Sequence, residues 1–107
     1  MTQQEQHIIN LIKNKILNKN PNAKIILFGS RARGDADNDS DWDILILLNK
    51  PDVNRNEEKE YREELFDVEL ETGEPISTFV FSEPEWESKY KVTPFYQSIK
   101  RDGIYLT

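Results

Sequence analysis

Cysteine is absent from this sequence, which excludes disulfide bridges and thiolate metal sites, and its lone histidine, His7, has no partner with which to build a zinc site. No apolar run approaches the length of a membrane span, and no charged-then-apolar leader opens the chain. It is therefore expected to be unexported and without membrane association, with the cytoplasm as the natural compartment. A basic stripe is missing too. The formal net charge is −6 and the lysines and arginines are dispersed, which argues against nucleic acid as a partner, because that needs a cationic track to displace counterions. Glycine is scarce, at four residues, so each one is informative about a turn or a close backbone approach. With 107 residues and 36% hydrophobic content, the chain is expected to form one small domain, 1–107, around a modest core.

What is present is clearly patterned. From Thr2 to Asn18, Ile8, Ile9, Leu11, Ile12, Ile16 and Leu17 recur at roughly helical spacing, and Pro21 lies beyond that helix. Two short apolar runs, 24–28 and 42–48, read as buried strands, the first bounded by Gly29 and the second closed by Pro51. Asn54 caps a charged helix over 55–72 with an apolar stripe of Tyr61, Leu65, Phe66, Val68 and Leu70, and Gly73 ends it. A third strand is expected over 75–82, followed by a helical turn at Ser82-Glu83-Pro84-Glu85 and a last helix from Thr93-Pro94 to about Asp102. The run Ile104 to Leu106 is too short to assign. The order α-β-α-β-α-β-α predicts an α/β (α+β) fold: a small mixed sheet of at least three strands, flanked by helices that bury one face.

The most informative stretch lies between the first two strands. Gly29-Ser30 is followed by ten residues and then Asp41-Trp42-Asp43. Residues two apart on a strand share a face, so Asp41 and Asp43 should project together, and two adjacent carboxylates repel unless a cation lies between them. Oxygen-only ligands suit Mg²⁺ or Mn²⁺, and Mg²⁺ commonly takes its remaining ligands from substrate phosphates. Gly29 allows a tight turn and a close approach to an anion, while Ser30 offers a hydroxyl and a backbone N–H. A short helix, Ser30 to Arg33, would aim its free N–H groups at those phosphates and end at Gly34. Arg33 is a candidate phosphate contact and, with Arg31, could instead only solvate the turn.

Other motif readings of this stretch fail. An EF-hand frame started at Asp35 puts Ser40 at the glycine position and Ile46 at the bidentate-glutamate position, and one started at Asp37 puts Trp42 and Leu48 there. A P-loop needs Lys and Ser/Thr where Asp35 and Ala36 stand. Asp35, Asp37 and Asp39 read as a solvated acidic loop.

Residues 28–45, with the Arg-x-Arg-Gly continuation after Gly-Ser and a Ser-Asp before the second carboxylate, resemble the signature of the minimal nucleotidyltransferases of the DNA polymerase β superfamily. The resemblance implies metal ligation by Asp41 and Asp43, which would be the catalytic acids. It also implies that Gly29 and Ser30 hold the phosphates of a nucleoside triphosphate, with ATP expected, and that a nucleoside monophosphate passes to an acceptor hydroxyl with Mg²⁺ (or Mn²⁺) as cofactor. Stand-alone proteins of this kind often serve as antitoxins beside a HEPN-domain ribonuclease, so a HEPN-domain protein is the implied partner.

One departure stands out. The family's third metal-binding carboxylate falls on the strand after the long helix, and laying 75–79 on that context puts Ser77 at its position. Serine is a poor Mg²⁺ ligand, so transfer could be weakened or lost, leaving a binding module that acts through its partner. Glu69, Glu71 and Glu74 are alternative acids, Glu74 reading best as a solvated turn residue. Trp42, opposite the carboxylates, and Trp86, opening a helix, read as packing residues with base stacking as the alternative. The aromatic tail, Phe95, Tyr96 and Tyr105, leaves room for pairing with a copy of the chain or with another protein.

Overall fold

The computed structural model describes residues 1–107. Its first helix, α1 (Gln3–Lys19), begins at a reciprocal cap in which the Thr2 hydroxyl accepts from the Glu5 N–H and the Glu5 carboxylate accepts from the Thr2 N–H. Strand β1 (Lys24–Phe28), the single turn of helix α2 (Ser30–Arg33) and strand β2 (Trp42–Leu48) follow. The long helix α3 (Arg55–Thr72) is capped by Asn54 and Glu57 in the same reciprocal way. Then come β3 (Ile76–Ser82), α4 (Glu83–Trp86), α5 (Pro94–Asp102) and a two-residue β4 (Ile104–Tyr105). Each helix starts where a Ser, Thr or Asn side chain takes a first-turn N–H, except α2, which follows Gly29 without a side-chain cap.

The sheet runs β3-β2-β1-β4. β2 is antiparallel to β1 and parallel to β3, with α3 as the crossover, and β4 adds antiparallel to β1. The expected mixed sheet is present, with one strand more than the three assigned from sequence. The segment 104–106 qualifies as β4 because the Leu106 N–H donates to the Ile25 carbonyl and the Ile25 N–H to the Thr107 hydroxyl.

Strand alternation sorts the side chains into two cores. Ile25, Leu27, Trp42, Ile44, Ile46, Leu48 and Val80 face α1 and α3, meeting Ile8, Ile9, Ile12, Ile16, Tyr61, Leu65 and Val68. Ile26, Leu45 and Leu47 face the other way, against Trp86, Tyr96 and Ile99 of α4 and α5. The expectation that helices bury only one face is therefore corrected. α4 and α5 are short, but Trp86, Tyr96 and Ile99 are large enough to close the second face, which makes β2 a central strand apolar on both sides. The lysines of α1 do not form a binding stripe: Lys15 pairs with Asp67 at 3.5 Å and Lys19 with Glu60 at 3.1 Å, tying α1 to α3. No helix is long and apolar enough to cross a membrane.

Candidate active site

The register brings the sequence-predicted residues to one end of the sheet. Asp43 lies opposite Phe28 on β1 and opposite Ser77 on β3, so all three side chains share the α4/α5 face. Asp41, just before β2, is on that same side: the Ser77 hydroxyl donates to Asp41 Oδ2 at 2.9 Å. Trp42, between the two acids, points through the sheet into the opposite core and is fully buried. The two acids thus lie on one side of the sheet, as their two-residue spacing leads one to expect.

Gly29 meets them from the end of β1. Its backbone lies at φ 74°, ψ −158°, a region essentially closed to residues with a side chain. A Cβ built on Gly29 would sit 2.1 Å from Asp43 Oδ2, so any side chain at this position would have to push the Asp43 carboxylate aside. The Gly29 carbonyl accepts from the Ala32 and Arg33 N–H groups at 3.1 Å each, starting α2, and the Ser30 carbonyl accepts from Gly34 at 3.0 Å. The Ser30 side chain is half-buried beside this turn. The backbone bend and Asp43 are therefore in van der Waals contact, not merely near each other in sequence.

Electrostatics mark Asp43. Burial, then the neighbouring charge of Asp41, pushes its carboxyl above the ordinary range, while the Arg33 guanidinium pulls it partly back. Arg33 is half-exposed and holds Asp35 at 3.2 Å, so its positive charge faces this end of the sheet without being committed to the core. An acid destabilised in its charged form by a like neighbour is one that gains from a bound cation. The donor set of two carboxylates beside a side-chain-free backbone bend fits a hard divalent ion, and no group of three or more Asp, Glu, His or Cys residues is arranged for a metal anywhere in the chain.

Arg31 goes elsewhere. It does not solvate the turn; it crosses to the Trp42 side, lies 4.8 Å over the indole, donates to the Ser40 carbonyl at 3.0 Å and faces Glu5 at 3.8 Å and Glu74 at 3.6 Å. Arg31, Trp42, Glu5 and Glu74 line a hollow of about 520 Å³ on the side of the sheet away from Asp43. Arg31 Nε and Trp42 Nε1 are buried there without hydrogen-bond partners. Glu74 is accordingly a partner of Arg31 and not a free turn residue. Glu69 accepts from the Ile76 N–H at 2.6 Å, fastening the start of β3, and Glu71 is exposed, so neither of these alternative acids joins the pair. Trp86 is 2% exposed in the second core, and neither tryptophan presents a ring to a ligand.

The structure adds an aromatic wall that had not been singled out from the sequence. Phe28, Phe79 and Phe95 form a triangle with ring centroids 5.5–5.9 Å apart on the face that carries Asp43 and Ser77, with Phe28 directly opposite Asp43 and Phe79 one row further along, and Phe79 is 39% exposed. The signal was available in part: Phe79 is two residues after Ser77 and must share its face.

Comparison with known proteins is consistent with this geometry. The chain matches the family model described as a nucleotidyltransferase domain over residues 9–106. No curated protein matches it. Among solved structures it is similar to a toxin–antitoxin crystallised with AMP-PNP, at 21% identity and a TM-score of 0.68, covering 92% of this chain and 72% of that one. It is also similar to a mutant of the toxin–antitoxin MntA-HpeT, at 20% identity and a TM-score of 0.58, covering 96% of this chain and 71% of the other. At these identities the likeness to the two structures is one of fold.

Proposed function

Because the chain belongs to the nucleotidyltransferase domain family, we propose that residues 1–107 act as one such domain, binding a nucleoside triphosphate, ATP above all, and transferring its nucleoside monophosphate to a hydroxyl on a partner protein. The partner we propose is a toxin of the HEPN type, with this chain as its cytoplasmic antitoxin. The similar structures support that reading, being toxin–antitoxin proteins, one of them crystallised with an ATP analogue.

The observation that carries the proposal is the contact of Asp43 with the glycine-only bend at Gly29, with Asp41 on the same side of the sheet and bonded to the neighbouring Ser77. In this reading Asp41 and Asp43 hold Mg²⁺ or Mn²⁺, which when bound neutralises phosphate charge and polarises the reacting phosphoryl group. Gly29 exposes backbone at the closest approach to the acids, which suits it to the β- and γ-phosphates, and the Ser30 hydroxyl adds a hydrogen bond beside it. Arg33 supplies a guanidinium for the phosphate oxygens, exchanging Asp35 for the stronger anion. The exposed ring of Phe79 gives the nucleobase an apolar surface. With the triphosphate so oriented, the acceptor hydroxyl attacks the α-phosphorus in line and pyrophosphate leaves, so positioning and charge neutralisation carry most of the catalysis.

A second reading is favoured by one observation: the residue beside Asp43 on β3 is Ser77, not an acid. In that case the fold is a non-catalytic module acting by partner binding. Incubating the chain and its partner with ATP labelled at the α-phosphate and Mg²⁺ separates the two. Label on the partner, lost with Asp43→Ala, supports transfer; nucleotide binding without label on any protein supports the module.

A further inference from the structure

Ser77 has a specific geometry that neither reading uses. It pairs directly with Asp43 in the parallel register, yet its hydroxyl donates across to Asp41 Oδ2 at 2.9 Å. A neutral hydroxyl at this point does two things at once. It takes one acceptor site of the Asp41 carboxylate and thereby fixes how the rest of that carboxylate points, the role that hydrogen-bonding partners of metal ligands commonly play. It also adds no charge beside two carboxylates that already share one side of the sheet.

Charge counting follows from the same residues. Two carboxylates balance one divalent ion, and no third acid or imidazole stands within the group. Arg33 already places a positive charge within Coulombic reach of Asp43. A second divalent ion would have to share the same two carboxylates, one oxygen of which is engaged by Ser77, and would meet the guanidinium as well. A single Mg²⁺ completed by triphosphate oxygens and water needs only the one or two protein carboxylates available here.

We propose that Ser77 is a positioning residue that orients Asp41 for a single divalent cation, and that this chain holds one such ion with its nucleotide where an acid at position 77 would hold two. The inference rests on the nucleotide-binding reading above.

The test counts Mn²⁺ bound per chain by electron paramagnetic resonance in saturating AMP-PNP, with circular dichroism melts reporting the folding of every variant. Wild type is expected to hold one ion and Ser77→Thr to match it. Ser77→Ala should hold one ion about ten- to a hundredfold more weakly at an unchanged melting temperature, and Ser77→Asp should hold two. Two ions on the wild-type chain, an unchanged affinity in Ser77→Ala, a Ser77→Thr variant as weak as Ser77→Ala, or a single ion on Ser77→Asp would each overturn the inference while leaving nucleotide binding intact. A wild-type chain that binds no more Mn²⁺ than Asp43→Asn would instead sink the nucleotide-metal reading itself, and the inference with it.

Discussion

Trp42 and Asp43 are adjacent on one strand and occupy opposite chemical settings. On the α1/α3 side the sheet is covered to its end: Trp42 is fully buried, roofed by Arg31, and Ile44, Ile46 and Leu48 continue the same apolar row. On the α4/α5 side the apolar cover ends with the cluster of Phe28, Phe79 and Phe95, and next to Phe28 lie the half-buried Asp43 and Ser77 and then the exposed Asp41. The difference is one of helix length and placement. α1 and α3 are 17 and 18 residues long, whereas α4 and α5 have 4 and 9 residues and leave Asp43 and Ser77 only half-buried. A rigid, fully bonded central strand thus presents its first residues as stability on one side and as reactive groups on the other.

If that division holds, substitutions on the two sides should separate activity from stability. The largest effect is expected at Asp43→Ala, which should lower label transfer by about 10³-fold or more, some 4 kcal/mol of transition-state stabilisation, without lowering the melting temperature. Trp42→Ala, one residue away, should do the reverse. Removing a buried indole costs about 3–5 kcal/mol and leaves Arg31 without its ring, so chemical denaturation should show the loss while any surviving folded protein still binds nucleotide. Gly29→Ala should breach the division, because its Cβ collides with the Asp43 carboxylate and the backbone angle is closed to alanine. A stability loss of about 1–3 kcal/mol, together with weakened AMP-PNP binding in calorimetry, is expected.

Two smaller effects sharpen the comparison. Asp43 carries a raised folded-state pKa caused by burial and Asp41, so folding favours its protonated form, and its contribution to stability declines as pH rises through the carboxylate range towards that raised value. Metal-free Asp43→Asn should therefore melt higher than wild type at neutral pH. The gap should shrink on acidification below the carboxylate range, where both states of wild type bind the proton, and a gap independent of pH would contradict this. Phe79→Ala should cost least. A nucleobase against its exposed ring is worth about 1 kcal/mol, a roughly fivefold weaker AMP-PNP affinity, and no change there would remove the aromatic wall from the site.

Much of this was legible along the chain, for reasons that differ between elements. The helices over 3–19, 55–72 and 94–102 follow from local signals, namely apolar spacing and caps such as Asn54 with Glu57 and Thr93 before Pro94. The side on which Asp43 lies follows from two-residue alternation along β2, whereas Asp41 lies just before that strand and is tied to the same side by the Ser77 hydroxyl. By contrast, β4 is two residues long and exists only because β1, far earlier in the chain, offers it an edge, so no local pattern announces it. Arg31 and Arg33, two apart in one turn of helix, look equivalent in sequence. Their fates diverge because one reaches over Trp42 and the other stays on the Asp43 side.

The three long helices, the strands β1 to β3 and the face each of their side chains takes are written in the order of residues along the chain, because helix and strand periodicities are properties of the backbone, independent of what lies across from it. The tertiary structure alone decided that Gly29 touches Asp43, that Ser77 bonds Asp41 and that the second face is closed by short helices up to the acids but not over them. Those contacts join residues far apart along the chain, and only the pairing of β1, β2 and β3 in one register brings them within reach.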